Sequence, residues 1–329
     1  MSGERTRPSR VAARLGPTVA VLLLAGCSAG GYTPTALPSV EPSASAEDTP
    51  APPAAAAPEC DEPLASYRPP PRVPAAEDLP AGSRPAEIRD RGRLVVGVSA
   101  DSLLLGSRNP VTGALEGFDI DMARAVAEAL LGDPDAVELR VITAAERIPL
   151  LEDGSVDLVA RNMTITCARW EQIAFSAEYY RSGQKVLVEL GSDATSLDDL
   201  AGQRVCAPAS STSLERLEEF PDVVPVAATS HTDCLVRFQQ GDVDAITGDD
   251  TVLAGLSAQD PYAVVVGDTF TDEPYGLGMN AAAVDLVRYV NAVLAAAVAD
   301  GRWQQSYDRW LAEALGPAPA PPVPDYGRG

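Results

Sequence analysis

The fold of this chain is indicated by LEDGSVDLV at residues 151–159, which returns 87 residues later as FQQGDVDAI at residues 238–246. Both stretches read apolar-x-x-Gly-x-Val-Asp-apolar-apolar. Glycine adopts the left-handed conformation at a helix end without steric cost, so each stretch predicts a helix that stops at glycine and a buried strand after it. Two copies of one αβ junction favour two similar lobes over one long sheet, with a coincidence between common junctions as the alternative.

Apolar runs and amphipathic patterns alternate on both sides of these copies, from about residue 88 to residue 315. The runs at 94–98 and 204–207 predict strands, and the spacing of apolar residues at 119–131 and 283–299 predicts helices. This alternation predicts an α/β fold with mostly parallel sheets. Two such lobes would leave a cleft where the carboxyl ends of their strands face each other, the usual place for a small ligand.

The two ends of the chain differ from this folded part. Four arginines precede a short apolar run that ends in LAGC at residues 24–27, so residues 1–26 have the layout of a secretory signal peptide. The apolar run is shorter than the ~20 residues that span a bilayer. Residues 27–87 are rich in Ala, Pro and Ser, which predicts an extended tether, and residues 317–329 form a Pro-rich tail.

Charge and cysteine content exclude several functions. The formal net charge is −22, so the chain lacks the basic surface that binds nucleic acid or anionic lipid. An even set of cysteines in an exported protein predicts two disulfides with three possible pairings, free buried thiols being the alternative. Apart from Cys27, the cysteines are Cys60, Cys167, Cys206 and Cys234. No C-x-x-C pair occurs and there is a single histidine, so we expect no metal site and no cofactor.

Several ordered motifs lie in the folded part. They are GFDIDM at 117–122, RIPLL at 147–151, NMTIT at 162–166, STS at 211–213 and VDAITGDD at 243–250. Together they resemble family 3 of the bacterial extracellular solute-binding proteins, the polar amino-acid receptors of ABC importers. The resemblance spans about 90–315, nearly all of the folded part.

The resemblance implies a two-lobed periplasmic-binding-protein clamshell of type II. Lobe 1 would contain residues 88–182 and 274–316, and lobe 2 would contain residues 183–273. Hinge segments at 185–189 and about 266–273 would cross between them. In such proteins the ligand closes the two lobes by adding contacts in the closed form.

The resemblance also implies which residues bind the backbone of an amino acid. Arg169 would hold the α-carboxylate through its planar guanidinium, with Thr164 beside it. Ser211 and Thr212, at a helix start in lobe 2, would offer backbone N–H groups, although Thr212 also fits an ordinary N-cap. Asp249 would bind the ammonium, with its neighbour Asp250 as the alternative.

The side-chain pocket would decide selectivity. Arg108 and Arg147 resemble the two arginines that meet the distal carboxylate in glutamate and aspartate receptors, so these ligands are favoured, with asparagine and glutamine as neutral alternatives. For each of the two arginines, the alternative is a solvated surface residue. A buried distal carboxylate needs such partners because an unpaired buried charge is costly. Asn162 stands where many relatives have glycine or serine. Arg161 beside it is also unusual, and would be either a third charge near the pocket or a residue that points away.

The cysteines have counterparts in this comparison. Similar glutamate-type receptors link the positions of Cys206 and Cys234, and with that pair taken from the resemblance we predict that Cys60 pairs with Cys167. The LAGC run resembles a bacterial lipobox, which implies cleavage before Cys27 and a lipid on its thiol. An ordinary signal peptide with an incidental cysteine is the alternative.

These features predict a monomeric receptor on the outer face of the cell membrane, which delivers an amino acid to an ABC permease. A sensor that reports the ligand to a membrane signalling protein would use the same closure. An enzyme on this fold, such as a dehydratase, would need a general acid or base beside the substrate. The single histidine, His231, fits a helix start better than that role, so we expect no catalytic residues.

Overall fold

The computed structural model describes residues 62–328, and Cys27, Cys60 and the predicted signal peptide lie outside these residues. The helices are α1 (Arg84–Arg91), α2 (Phe118–Leu131), α3 (Arg147–Glu152), α4 (Cys167–Trp170), α5 (Thr212–Leu217), α6 (His231–Gln239), α7 (Asp250–Ser257), α8 (Val284–Ala299), α9 (Arg302–Trp310) and α10 (Ala312–Leu315), with 3-10 turns at Ala76–Asp78 and Leu197–Leu200. The strands are β1 (Leu94–Val98), β2 (Asp101–Ser102), β3 (Gly106–Arg108), β4 (Leu115–Glu116), β5 (Val137–Val141), β6 (Leu158–Ala160), β7 (Ile173–Phe175), β8 (Tyr180–Ser182), β9 (Gln184–Glu189), β10 (Arg204–Pro208), β11 (Val224–Ala228), β12 (Ala245–Asp249), β13 (Ala263–Val266), β14 (Glu273–Tyr275) and β15 (Gly278–Asn280).

Two five-stranded sheets follow one plan. Their strand orders are β5-β1-β6-β15-β7 and β11-β10-β12-β9-β13. In each sheet the first three strands run parallel and the fourth runs antiparallel to the third. Helices cover these sheets, and the two-lobed α/β fold expected from the repeated junction is confirmed.

The repeated stretch makes the same contacts in both lobes. Its glycine is left-handed in each copy, with φ of 73° and 75°. The aspartate that follows exchanges hydrogen bonds with the neighbouring parallel strand: the amide of Asp157 donates to Val95 O of β1 at 2.8 Å, and its carboxylate accepts from Val95 N at 2.8 Å. Asp244 makes the same pair of bonds with Arg204, both at 2.8 Å. The shared Val-Asp therefore sets the register of β6 against β1 and of β12 against β10.

The chain crosses between the lobes twice, at the antiparallel pair of β8 and β14, which forms a separate two-stranded sheet. The crossing segment predicted at 185–189 was misplaced, whereas the one predicted at about 266–273 ends on Glu273, the first residue of β14. Residues 184–189 are β9, which pairs with both β12 and β13 inside the lobe 2 sheet. The reason is burial, because Val186, Leu187 and Val188 lie in the core of lobe 2 and cannot serve as an exposed link.

Parts of the predicted tether and tail pack on lobe 1. Ser66 is fully buried and its amide donates to Asp325 O at 2.9 Å. The Trp170 indole donates to Pro63 O at 2.7 Å, and the Arg328 guanidinium lies 3.8 Å from the centroid of that ring. The extended segments 62–83 and 317–328 are therefore part of lobe 1. Composition alone misled here, since the partners that satisfy their backbone groups come from distant parts of the chain.

One predicted disulfide is confirmed. Cys206 on β10 is bonded to Cys234 on α6, with a Cα–Cα distance of 5.6 Å. Cys167 is also disulfide-bonded, and its predicted partner, Cys60, lies outside the described residues. Within 62–328, none of the helices has the length and hydropathy needed to cross a bilayer.

Candidate ligand-binding site

A small polar cavity lies between the two lobes. Its walls come from segments that follow the carboxyl ends of parallel strands, the expected position for a ligand in this class of fold. The lining residues are Ala144, Arg147, Arg161, Asn162, Thr164 and Arg169 from lobe 1, and Pro208, Ser211, Thr212, Ser213, His231 and Asp249 from lobe 2. Seven of the eight predicted ligand-binding residues are among them.

Three arginines meet at this cavity, and all three are buried: Arg147, Arg161 and Arg169 are 4%, 7% and 7% exposed. Burial lowers the pKa of each. For Arg147, repulsion from the other two guanidiniums lowers the pKa further. Three like charges therefore lie at one buried cavity. This arrangement costs free energy unless anions lie nearby.

The three guanidiniums lack direct carboxylate partners among residues 62–328. None of the ion pairs within 4.0 Å involves them. Their hydrogen bonds go to backbone carbonyls. Arg147 donates to Ala144 O, Arg161 O and Ser210 O at 2.9, 3.4 and 3.2 Å, Arg161 to Ile142 O at 2.9 Å, and Arg169 to Thr164 O at 2.6 Å.

Arg161 is thus a cavity residue, and the alternative that it points away is wrong. Burial lowers the pKa of Arg161, and the attraction of Asp101 and Asp119, from beyond salt-bridge distance, offsets part of that lowering. Arg108, by contrast, is exposed on β3 and donates to Gly113 O at 2.7 Å within its own hairpin. Its prediction as a distal-carboxylate ligand does not hold, because the hairpin directs this side chain to solvent. No sequence motif indicated that Arg161, and not Arg108, would line the cavity.

The carboxylate side of the cavity is formed by Asp249, the last residue of β12. Asp249 is 3% exposed; its Oδ2 accepts from Tyr275 OH at 2.5 Å and its Oδ1 has no hydrogen-bond partner. Burial, and then repulsion from Glu273, raises its pKa to about 7. Asp250, the alternative considered for this role, instead accepts from Ser182 Oγ at 2.5 Å on the crossing strand β8.

Glu273 is the residue that motif reasoning missed. It lies on the crossing strand β14, is 4% exposed, and accepts hydrogen bonds from Thr164 and Thr212. The sequence places it beside Pro274, with no charge pattern to single it out. Only the meeting of the two lobes brings it into contact with Thr164 and Thr212, which line the cavity.

The remaining predicted residues have clear local roles. Ser211 is the N-cap of α5 and accepts from Leu214 N at 3.1 Å, so Thr212 is the first helical residue and its hydroxyl is free to donate to Glu273. Asn162 has a left-handed backbone, with φ of 35°. Asparagine tolerates that conformation better than most residues, which explains why it can replace glycine there. Its side-chain Oδ1 is buried without a partner.

His231 begins α6, as expected, and also lines the cavity. Its Nε2 lies 3.2 Å from Thr247 O, an acceptor, so Nε2 carries the proton. Burial lowers its pKa to about 4. The imidazole is therefore neutral at pH 7 and contributes no charge to the site.

The lobes touch across the cleft. Arg147 donates to Ser210 O, Thr232 donates to Asp101 O at 3.0 Å, and a Cβ on Gly255 would lie 2.6 Å from Leu103 O. The cavity volume is about 20 Å³, the space of roughly one water molecule. An amino acid therefore enters only when the lobes separate.

Buried cations and anions on opposite sides of a closing cleft define a class of protein: a two-lobed binding protein for a small zwitterionic solute. The comparison with known families agrees. Residues 94–313 match the model for bacterial extracellular solute-binding proteins, family 3, and the chain belongs to this family. The resemblance drawn from the motifs is confirmed.

Known relatives are amino-acid binding proteins by name. The chain is 34% identical over 230 residues to the ABC transporter glutamine-binding protein GlnH of Bacillus subtilis, which covers 69% of this chain and 84% of that protein. It is 32% identical over 240 residues to the glutamate-binding protein GluB of Corynebacterium glutamicum, covering 69% and 80%. Among solved structures, an ancestral arginine-binding protein bound to glutamine matches with a TM-score of 0.64 and 33% identity, covering 67% of this chain and 98% of that one.

Proposed function

We propose that this protein is an extracytoplasmic receptor that binds an acidic amino acid, glutamate or aspartate, and delivers it to an ABC importer. Its relatives support an amino-acid ligand, but their names include glutamine, glutamate and arginine. The observation that carries the choice is the charge of the cavity. Three buried guanidiniums line the cavity with the carboxylate of Asp249, and Glu273 lies behind the lining residues Thr164 and Thr212. Asp101 and Asp119 attract Arg161 from beyond salt-bridge distance, and His231 is neutral.

The charge balance favours a ligand with one net negative charge. Glutamate and aspartate carry two carboxylates and one ammonium, so they supply an anion for more than one guanidinium and a cation for the carboxylate side. Glutamine leaves one of the buried cations without a partner, and arginine adds another cation. An uncompensated buried charge costs several kcal/mol on the order-of-magnitude scale for proteins.

The arginines would divide this task. Arg169, next to Thr164, takes the α-carboxylate. Arg161 and Arg147 take the distal carboxylate, and of these Arg161 is the less engaged, because one nitrogen donates to a carbonyl whereas three of Arg147 do. Nothing in this arrangement requires turnover of the ligand, and we propose binding without catalysis.

Isothermal titration calorimetry on the purified chain tests this assignment. Glutamate, aspartate, glutamine, asparagine and arginine are compared on the wild type and on Arg161→Met, Arg169→Met and Arg108→Met. Truncating one partner of a buried charge pair costs about 2–5 kcal/mol, or roughly 30-fold and more in affinity. Arg169→Met should weaken all ligands by that amount.

Arg161→Met should weaken glutamate and aspartate more than glutamine and asparagine. Arg108→Met is the matched control, since its guanidinium is exposed and lies outside the cavity, and it should change nothing. Tight glutamine binding by the wild type with no glutamate or aspartate signal would refute the acidic ligand. Equal losses for acidic and neutral ligands in Arg161→Met would refute its role at the distal carboxylate.

We also propose that a lipid on Cys27 anchors the receptor to the outer face of the membrane, and that Cys60 is the disulfide partner of Cys167. The LAGC run supports the first, and the bonded state of Cys167 supports the second. Metabolic labelling with a fatty-acid analogue should mark the wild type and leave Cys27→Ser unlabelled. Peptide mapping without reductant should recover Cys60 linked to Cys167, and a free Cys60 thiol would exclude that pair.

A further inference from the structure

Glu273 is a buried carboxylate at the point where the two lobes meet. Its Oε2 accepts from Thr164 Oγ1 of lobe 1 at 2.7 Å and from Thr212 Oγ1 of lobe 2 at 3.0 Å. Its Oε1 accepts from Thr271 Oγ1 at 2.8 Å. All three partners are neutral hydroxyls. Both Thr164 and Thr212 line the cavity, so Oε2 lies one hydroxyl away from the ligand space.

No cation pairs directly with this carboxylate. Among the described residues, no Lys, Arg or His nitrogen lies within 4.0 Å of Glu273 or of Asp249. The two carboxylates are close enough to repel, which contributes to the raised pKa of Asp249. Hydroxyl donors satisfy lone pairs but do not neutralise charge, and a buried ion without a counter-ion is costly. A cation supplied by the ligand would therefore stabilise this end of the site.

An α-ammonium meets that requirement. It carries three N–H donors, which suits the unpartnered Oδ1 of Asp249 together with the hydroxyl oxygens of Thr164 and Thr212, whose protons are donated to Glu273 Oε2. We propose that Glu273 is a specificity-determining residue that, with Asp249, forms a two-carboxylate site for the ligand's α-ammonium and rejects acids that lack it. This inference rests on the proposed amino-acid ligand and extends it to a residue that the binding motifs do not contain.

The same charges predict which class of ligands the site rejects. A 2-oxo acid has the carboxylates of the matching amino acid and a neutral carbonyl in place of the ammonium. It would leave both buried carboxylates uncompensated and would place a carbonyl oxygen opposite carboxylate oxygens. Removing the charge of Glu273 should therefore lower the affinity for the amino acid and raise the affinity for the 2-oxo acid.

The test compares L-glutamate with 2-oxoglutarate on the purified chain. Glutamate affinity is measured by calorimetry, and 2-oxoglutarate affinity by displacement of bound glutamate, which extends the range to weak binding. In the wild type, glutamate should bind at least about 30-fold tighter than 2-oxoglutarate, because one buried charge partner is worth about 2–5 kcal/mol. Glu273→Gln should lower that ratio by at least about tenfold. The glutamine side chain has the same size as glutamate and keeps one oxygen that accepts from the threonines.

Two further variants separate recognition from a structural role at the crossing. Glu273→Asp keeps the charge, so the ratio should stay close to the wild-type value even if both affinities fall. Asp272→Asn is the matched control, because Asp272 is the exposed neighbour on the same segment and its loss should leave the ratio unchanged. A purely structural effect changes the affinities for glutamate and 2-oxoglutarate equally and leaves their ratio constant.

Equal wild-type affinities for glutamate and 2-oxoglutarate would overturn the inference. An unchanged ratio in Glu273→Gln would do the same, as would a fall in Glu273→Asp as large as the fall in Glu273→Gln. If the chain binds glutamine and not glutamate, the measurements are repeated with glutamine and its 2-oxo analogue. The acidic-ligand proposal then fails while the role of Glu273 is still decided.

Discussion

Asp249→Asn should raise the stability of the ligand-free protein and at the same time weaken ligand binding. Asp249 is fully buried, has one oxygen without a partner, and faces Glu273. Its pKa is raised to about 7 from an ordinary 3.8. The folded state therefore holds this carboxylate at a cost that the unfolded chain does not bear.

The cost can be derived from the linkage between protonation and folding. At 1.36 kcal/mol per pH unit, the difference between 3.8 and about 7 corresponds to about 4 kcal/mol above pH 7. Asparagine removes the charge and keeps an acceptor for the Tyr275 hydroxyl. Its amide NH₂ lacks a defined partner, which costs about 1–2 kcal/mol. We expect a net gain of about 2 kcal/mol, or about 4–8 °C in Tm for a domain of this size.

The pH dependence has a definite sign. A carboxyl whose folded pKa lies above its unfolded pKa makes no difference below about pH 3.8, where both states are protonated. Its destabilisation grows as the pH rises and is complete above about pH 7. Because the unpartnered amide of asparagine costs about 1–2 kcal/mol at any pH, Asp249→Asn should be less stable than the wild type by about that amount at pH 4. It should be more stable by about 2 kcal/mol at pH 8, where the charge of Asp249 is fully present. His231 does not distort this comparison above pH 5, because its pKa is about 4.

The assay is thermal unfolding without ligand from pH 4 to pH 8, followed by calorimetric titration with glutamate at pH 8. Loss of the ammonium partner should weaken binding by roughly 30-fold or more. A variant that is less stable than the wild type at pH 8 would refute the cost assigned to this carboxylate. Undiminished affinity would refute its role as the ammonium partner.

The lobe contacts and the disulfide allow further tests. Gly255→Ala should favour helix α7 by up to about 1 kcal/mol and yet lower ligand affinity, because its Cβ would lie 2.6 Å from Leu103 O when the lobes are closed; unchanged affinity by calorimetry would contradict that contact. Replacing Cys206 and Cys234 by serine together should lower the free energy of unfolding in urea by about 3–4 kcal/mol, since the bond spans 28 residues. A loss below about 1 kcal/mol would show that the bond contributes little.

Much of the fold was accessible from the sequence because it depends on local signals. The glycine and aspartate of the repeated junction act within their own lobe, and the same backbone bonds recur at Asp157 and Asp244. The sequence predicted a hinge segment at 185–189, residues that form most of β9. It did not reveal that β9 belongs to the lobe 2 sheet rather than to the hinge, since that depends on which strands pair with it.

By itself, the sequence determined the two α/β lobes, the family, the Cys206–Cys234 pair and a cleft with Arg169, Thr164 and Asp249. The two lobes follow from periodicity, and the disulfide pair and the cleft residues are implied by the family resemblance of the motifs. Both signals are local in the chain. The tertiary structure alone decided that Arg161 faces the cavity while Arg108 faces solvent, and that Glu273 reaches both Thr164 and Thr212. The physical reason is that burial and the proximity of charges depend on contacts between distant segments of the chain, which local sequence patterns do not indicate.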